Sequence, residues 1–199
     1  MYFLMEVEVF LLASGESKRM GISKPLLKFG DQSVIEKVVN AFRDSGYRDI
    51  SVIGRANDED LKTEAGRLGV KYIENHHHKK GMSSSVEIAI GACISDWLCV
   101  FPADIPLIKS EILAKFFVFN KTNAQVIQPI CDNRKRHPVW LNKSVFHEIY
   151  SALQSGKTLR EVLQAKQVHT IETQDCVQFM DFDTPEEYAE LLSQAGFRT

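Results

Sequence analysis

An α/β fold, with a mainly parallel sheet and helices on both of its faces, is what this sequence predicts, and three observations predict it. Short apolar runs of strand length alternate with stretches of helical period along nearly the whole chain. The 199 residues are 44% hydrophobic and 25% charged, which suits one ordinary globular core. No Pro-, Gly- or Ser-rich linker, internal repeat or low-complexity tract divides them, so 1–199 reads as a single domain.

The elements follow in order. The opening MYFLMEVEVFLLA carries Glu6 and Glu8, lacks a basic leader segment and falls short of a membrane span, so it reads as a buried strand. SVIEKVVNAFRDSG places Val34, Ile35, Val38, Val39 and Phe42 on one helical stripe that Gly46 ends. DISVIG is then a strand, 58–68 a polar-faced helix, VKYIE a strand, SSSVEIAIGACI a helix, and WLCVF a strand running to Pro102. SEILAKFFVFN reads as a helix, AQVIQPI and HPVWL as strands, SVFHEIYSAL as a helix, and GKTLREVLQ as a turn or helix. Strands at VHTIE and VQFMDF and a last helix from Pro185 complete the pattern.

Charge and cysteine usage limit the function classes. Lys and Arg number 24 against 26 Asp and Glu, so no overall field recruits nucleic acid or a membrane, and any positive site is local. Cys93, Cys99, Cys131 and Cys176 lie far apart without a CxxC pair, which argues against a zinc knuckle or a disulfide framework and for a reducing cytoplasm. The adjacent His76, His77 and His78 lack the i, i+4 spacing that converges ligands on zinc, so they read as a solvated loop.

The local positive site is FLLASGESKRMGISKPLLKFG, residues 10–30, where the first strand breaks into a loop holding Gly15, Lys18, Arg19, Gly21 and Lys24. In an open α/β sheet ligands gather beyond the carboxyl ends of the strands, where this loop stands. Glycine lets successive backbone N–H groups aim at an oxyanion, and Lys or Arg supplies the countercharge a triphosphate needs. A surface loop with solvated charges is the plainer alternative. The spacing is neither a Walker A nor a GxGxxG motif. GKT at 156–158 has the Walker ending, but the required first glycine falls on Ser151 inside a helix.

LASGESKRMGISKPLL closely resembles the LAAGxSxRMGxxKxLL signature of the MobA-like nucleotidyltransferases, and within them of the molybdenum cofactor cytidylyltransferases. GMSSSVEIAI, FPADIPLI, RHPVWL and DFDTPEEYAEL follow in the family's order over almost the whole chain. The resemblance implies a three-layer, Rossmann-like fold of the nucleotide-diphospho-sugar transferase (GT-A) type with a mainly parallel mixed sheet. It also implies an activity: CTP and molybdopterin-bound molybdenum give the cytosine dinucleotide cofactor and pyrophosphate. CTP, a molybdopterin-type acceptor and a molybdoenzyme receiving the product are the partners implied.

Carried over residue by residue, the resemblance puts Leu12, Ala13, Ser14 and Gly15 at the nucleotide, with Gly15 as the close backbone approach and Arg19 and Lys24 as clamps on the triphosphate. Lys24 belongs at the α-phosphate, where charge grows during transfer. Ser14 stands where cytidylyl members have Ala and guanylyl members Gly, and its side chain narrows the base pocket towards a pyrimidine. Ser83, Ser84 and Ser85 form a polar cradle for base or ribose, although Ser84 and Glu87 also spell a capping box. Asp104, with a catalytic part, and Asp183 are the implied ligands of Mg2+, with Mn2+ a substitute, and Asp181 orients its neighbour. Taken alone each aspartate has a structural alternative, since Asp104 precedes a proline turn and TPEE is a capping box with Thr184 as N-cap. His137, Arg136 and Arg160 fall on the pterin side, Arg136 where the family has glycine. Two other functions fit the same residues: nucleotidyl transfer to another phosphorylated acceptor, or a silent carrier of finished cofactor.

Overall fold

In the computed structural model, which describes residues 7–16, 22–119 and 123–197, the apolar opening run becomes β1 (Val7–Leu12) at the heart of a mixed sheet. A short hairpin, β2 (Lys28–Phe29) and β3 (Gln32–Ser33), leads into α1 (Val34–Asp44). Ser33 caps α1 by accepting from the Glu36 N–H, the five apolar residues of its stripe are buried, and Gly46, at φ +94°, turns the chain away. The alternation continues through β4 (Asp49–Arg55), α2 (Glu59–Arg67), β5 (Lys71–Asn75), α3 (Met82–Ala92) and β6 (Trp97–Pro102). It closes with α4 (Ser110–Ala114), α5 (Phe116–Phe119), β7 (Val126–Cys131), β8 (Arg134–Lys135), β9 (Val139–Asn142), α6 (Phe146–Gln154), α7 (Leu159–Gln164), β10 (Val168–Glu172) and α8 (Pro185–Gln194).

The sheet runs β5-β4-β1-β6-β9-β7-β10, with β8 folded back on β7. β1 is parallel to β4 and β6, β4 to β5, and β7 to β10, while β9 alone runs against both its neighbours. Leu12 pairs with both Ile53 and Pro102, so β1 and β6 finish on one line, two residues before β4 ends at Arg55. The ladder runs one residue further: the Ala13 N–H donates to the Ile53 carbonyl at 2.8 Å and the Ala103 N–H to the Leu12 carbonyl at 3.0 Å. The residues that follow, Ser14 and Asp104, therefore leave the sheet at a fixed rim, where ligands of open α/β sheets bind.

Ile35, Phe42, Leu61, Leu113 and Phe116 cover one face of the sheet, and Val86, Ala89, Ile149 and Leu163 the other. A third, small cluster joins Phe29 of the hairpin to Val34, Phe182 and Leu191. Burying the Phe182 ring contributes roughly 2 kcal/mol to fastening the segment before α8 onto that hairpin, and the cluster is what carries Asp183 towards β1.

Four expectations are corrected here. VQFMDF is no strand: Val177–Phe179 is a 3-10 turn, because Phe179 and Phe182 enter different clusters and the buried Gln178 side chain accepts from the Lys109 N–H at 3.4 Å and donates to the Asp175 carbonyl at 2.9 Å. Asp183 thus precedes a helix instead of ending a strand. The helix at 110–119 is two pieces, since Phe116 stacks on Trp140 (5.3 Å, 16°) while the next residue, Phe117, packs against Tyr47 (4.9 Å). Ser84 makes no capping box with Glu87; its hydroxyl donates to the Gly81 carbonyl, and Glu87 accepts from Gln154. Finally, Cys131 and Cys176 are disulfide-bonded. Parallel pairing of β10 with β7 sets Glu172 beside Ile130, which brings the two cysteines, 45 positions apart, to one edge of the sheet. No helix among the described residues is long and apolar enough to cross a membrane.

Candidate active site

The rim of β1, β4 and β6 opens into a cleft of about 540 Å³, floored by Leu12, Ala13, Ser14, Pro102 and Ala103. One wall comes from the turn after β5 and the first residues of α3, with His78, Gly81, Met82 and Ser85. Gly81 is at φ +83°, ψ −167°, a conformation open essentially to glycine alone, and it delivers the chain into α3 without a side-chain cap. The amino end of α3 therefore offers backbone N–H groups towards the cleft. Gly15 is exposed, and a Cβ built on it would meet nothing within 4 Å.

A buried polar chain lies under the floor. Asn75, fully sealed at the end of β5, donates to the hydroxyls of Ser84 (2.9 Å) and Ser85 (3.0 Å) and accepts the His77 N–H (2.8 Å). Ser85 donates on to Ser14 at 3.3 Å, and Ser14 to the Ile53 carbonyl at 3.1 Å. The chain fixes the Ser14 side chain at the cleft floor, and it fixes the serines by bonds to protein. Of the three predicted serines, Ser85 lines the cleft, Ser84 is buried behind it and Ser83 is half-buried outside the lining.

On the opposite wall, three charges converge. Lys24 begins a short 3-10 turn with Pro25 fixing its backbone, and its Nζ lies 3.1 Å from Asp104 Oδ2 and 2.6 Å from Asp183 Oδ1. The same ammonium stands 5.4 Å above the Phe182 ring. Burial pulls the Lys24 pKa down, but the hydrogen bond to Asp183 and the charge of Asp104 outweigh it and hold the ammonium above its ordinary value. Burial raises the Asp104 carboxyl above its ordinary value even though Lys24 pulls the other way, with Asp181 adding to the rise. Asp104 and Asp183, 79 positions apart, thus share one cation-sized position. Asp183 holds its place through a capping box, in which Thr184 accepts from the Glu187 N–H and Glu187 accepts from Asp183 N–H and Thr184 N–H.

The other predicted residues separate. Arg19 lies outside the described residues. His137 and Arg136 sit at the β8–β9 bend beside β6, and His137 is followed by a cis peptide bond to Pro138. The residue is half-buried with its Nδ1 sealed, and burial lowers its pKa to about 4, against the raising effect of a hydrogen bond to the Val100 backbone. Arg160 is exposed on α7 and does not line the cleft. Sequence reasoning missed Asn75, His78 and Lys79; a polar residue closing the strand pattern VKYIE was the available signal for Asn75.

The family model described as a MobA-like NTP transferase domain matches residues 9–171. The molybdenum cofactor cytidylyltransferase of Escherichia coli K12 is 22% identical over 184 residues, covering 92% of this chain and 93% of that protein. A probable molybdenum cofactor guanylyltransferase of Bacillus cytotoxicus is 28% identical over 199 residues, covering 96% and 98%. Among solved structures, the manganese complex of Rv0371c from Mycobacterium tuberculosis H37Rv superposes with a TM-score of 0.76 at 16% identity, over 94% of this chain and 98% of that one.

Proposed function

The chain belongs to the MobA-like NTP transferase domain family and is a nucleotidyltransferase, and on that premise we propose that it transfers CMP from CTP to molybdopterin-bound molybdenum with release of pyrophosphate. The observation that carries this reading is the meeting of Lys24, Asp104 and Asp183 beside the glycine loop at the rim of the cleft. A terminal phosphate oxygen of the acceptor attacks the α-phosphorus of CTP; the new P–O bond forms as the bond to the β-phosphate oxygen breaks, and pyrophosphate leaves in line. Lys24 neutralises the charge that grows on the transferring group, Gly15 lets the backbone approach the phosphates, and no covalent nucleophile is required. Arg19 is a second clamp on the same triphosphate.

Asp104 and Asp183 fit a divalent metal, Mg2+ or Mn2+, because both carboxylates already turn to one cation, the Lys24 ammonium. Bound there, the ion would neutralise phosphate charge alongside Lys24. The manganese in the Rv0371c complex supports a divalent metal for this fold. Ser14 supports CTP over GTP: its side chain, pinned to Ile53 and Ser85 in the cleft floor, leaves less room for a base than glycine would. His78 and Lys79 line the same cleft, and the Lys79 ammonium adds positive charge on the nucleotide side.

The test is direct. Purified protein with Mg2+ or Mn2+, each of four NTPs and molybdopterin-bound molybdenum should release pyrophosphate with CTP far faster than with GTP. Release with a sugar or alcohol phosphate in place of the pterin would move the acceptor to another class, and no release with any acceptor would leave a carrier. A carrier, however, has no use for the three-charge cluster.

A further inference from the structure

A choice by size, which is what Ser14 supplies in the reading above, does not separate cytosine from uracil. The two bases differ in polarity at one edge: position 4 is an amino donor in cytosine and a carbonyl acceptor in uracil. A cleft that takes CTP and refuses UTP therefore needs an acceptor aimed at that edge.

The serines of the floor and the α3 wall are already committed to protein. Ser84 donates to the Gly81 carbonyl at 2.8 Å, Ser85 to the Ser14 hydroxyl at 3.3 Å and Ser14 to the Ile53 carbonyl at 3.1 Å, while the Asn75 amide donates to both Ser84 and Ser85. Met82, on the same wall, is 52% exposed, so a long apolar side chain stands in water beside the floor. Such a thioether gives the flat face of an aromatic ring a surface to lie on.

His78 completes that wall. It is half-buried, it lines the cleft, and its Nδ1 lies 3.4 Å from the Asn75 carbonyl oxygen. A carbonyl only accepts, so the ring proton of the neutral imidazole sits on Nδ1 and Nε2 is left as an acceptor. Nε2 is on the far edge of the ring from that carbonyl and has no hydrogen-bond partner among the described residues. Asn75, fully buried, sets the whole arrangement: its carbonyl orients the His78 ring, its Oδ1 takes the His77 N–H at 2.8 Å, and its amide holds Ser85. The acceptor is thus fixed on the same wall as Met82 and Ser85.

We propose that His78 reads the base: its Nε2 accepts from the 4-amino group of cytosine and so selects CTP against UTP. This rests on the nucleotide class proposed above and deepens it. A site built to accept from an N–H rejects the analogue that lacks it, and here the 4-carbonyl of uracil would set lone pair against lone pair. Lys79, one residue on, is an exposed ammonium on a flexible stem, suited to phosphate charge and not to a fixed edge.

The test is calorimetric titration of the full chain with CTP and with UTP, in Mg2+ at pH 8 and without any acceptor. The wild type should bind CTP about 10- to 100-fold more tightly than UTP. His78→Phe keeps a ring but removes the acceptor, so CTP binding should weaken about 10-fold and the two nucleotides should come within about threefold of each other. His78→Gln, whose amide turns either its carbonyl or its NH2 to the base, should keep CTP and gain UTP; it carries the test alone should the Phe variant fail to show a cooperative thermal melt. Equal binding of CTP and UTP by the wild type, tighter binding of UTP, or an unchanged ratio in the folded variants overturns the proposal. So does an equal loss of both nucleotides in the variants, which is what a merely structural histidine gives. CMP and UMP transfer to molybdopterin at equal rates would sink the role of His78 and leave the proposed acceptor standing; a CTP preference that His78→Phe abolishes, without transfer to molybdopterin, would do the reverse.

Discussion

Replacing Lys24 by Met should tighten divalent-metal binding in the absence of nucleotide while crippling turnover, and the two effects come from one position. The Lys24 ammonium lies 3.1 Å from Asp104 and 2.6 Å from Asp183, and its side chain is only 12% exposed. At such distances and an effective dielectric near 20, a pair of charges attracts by about 5 kcal/mol in Coulomb terms alone. The Asp183 side chain is 51% exposed, so water reduces its share to about 1 kcal/mol or less. The Asp104 side chain is 25% exposed and its share is larger, though desolvation offsets part of it. An entering metal must displace this ammonium, and removing the competitor should leave a net gain of about 1–2 kcal/mol, near 10-fold in Mn2+ affinity. Turnover should nevertheless fall about 100-fold, as loss of one preorganised electrostatic donor commonly causes. Electron paramagnetic resonance of free Mn2+ gives the affinity, and pyrophosphate release gives the rate. Unchanged or weaker Mn2+ binding in Lys24→Met would refute the competition, and normal turnover would return Lys24 to the role of a surface charge.

Asp104→Asn and Asp183→Asn should each weaken metal-dependent pyrophosphate release strongly, and the double variant should lose much less than the product of the single losses, since groups serving one ion are non-additive; full multiplicativity against Mg2+ concentration would count against a shared ion. Ser14→Gly should raise GTP use relative to CTP by about 10-fold, whereas Ser14→Ala should not; competition between the two nucleotides measures it, and a wild-type ratio in Ser14→Gly would remove Ser14 from base selection. For His137, the folded pKa of about 4 lies below the ordinary 6.5, so the unfolded chain binds the extra proton between those values. That contribution is intact above pH 6.5 and lost as pH falls through 4, by about 3 kcal/mol in full. Urea unfolding at pH 7, 5.5 and 4.5 should therefore show a shallower acid loss in His137→Gln than in wild type, and parallel losses would mean that His137 is not the group.

Much of the fold was legible because its signals are local. The stripe from Val34 to Phe42 and its glycine stop, the strands at 49–54 and 97–101, and the capping box at Thr184 each need only a short window of sequence. The opening loop was legible for the same reason, being one contiguous motif. What failed depends on partners distant in the chain. VQFMDF alternates like a strand, and only the separate destinations of Phe179 and Phe182 prevent it from being one. The Cys131–Cys176 bond follows from the pairing of β10 with β7, which no spacing of cysteines reveals. Asn75 looks like an ordinary polar residue in a strand until its neighbours are placed.

The family match ends at residue 171, so Asp183 has to be justified by the structure itself. Its position is over-determined. Phe182, the residue before it, is buried with Phe29 and Val34, and Thr184, the residue after it, is locked to Glu187. Further upstream, Gln178 is bonded to the Lys109 N–H in the same connection that carries Asp104, and the Lys109 ammonium lies 2.6 Å from Asp175. The two aspartates are therefore held by one rigid assembly although they come from opposite ends of the sequence. An exposed carboxylate needs none of this to act as a helix cap, and the Thr184–Glu187 box already caps α8 without it. The anchoring makes sense when Asp183 must stay within reach of a cation that Asp104 also touches, and a single structural cap would not require both.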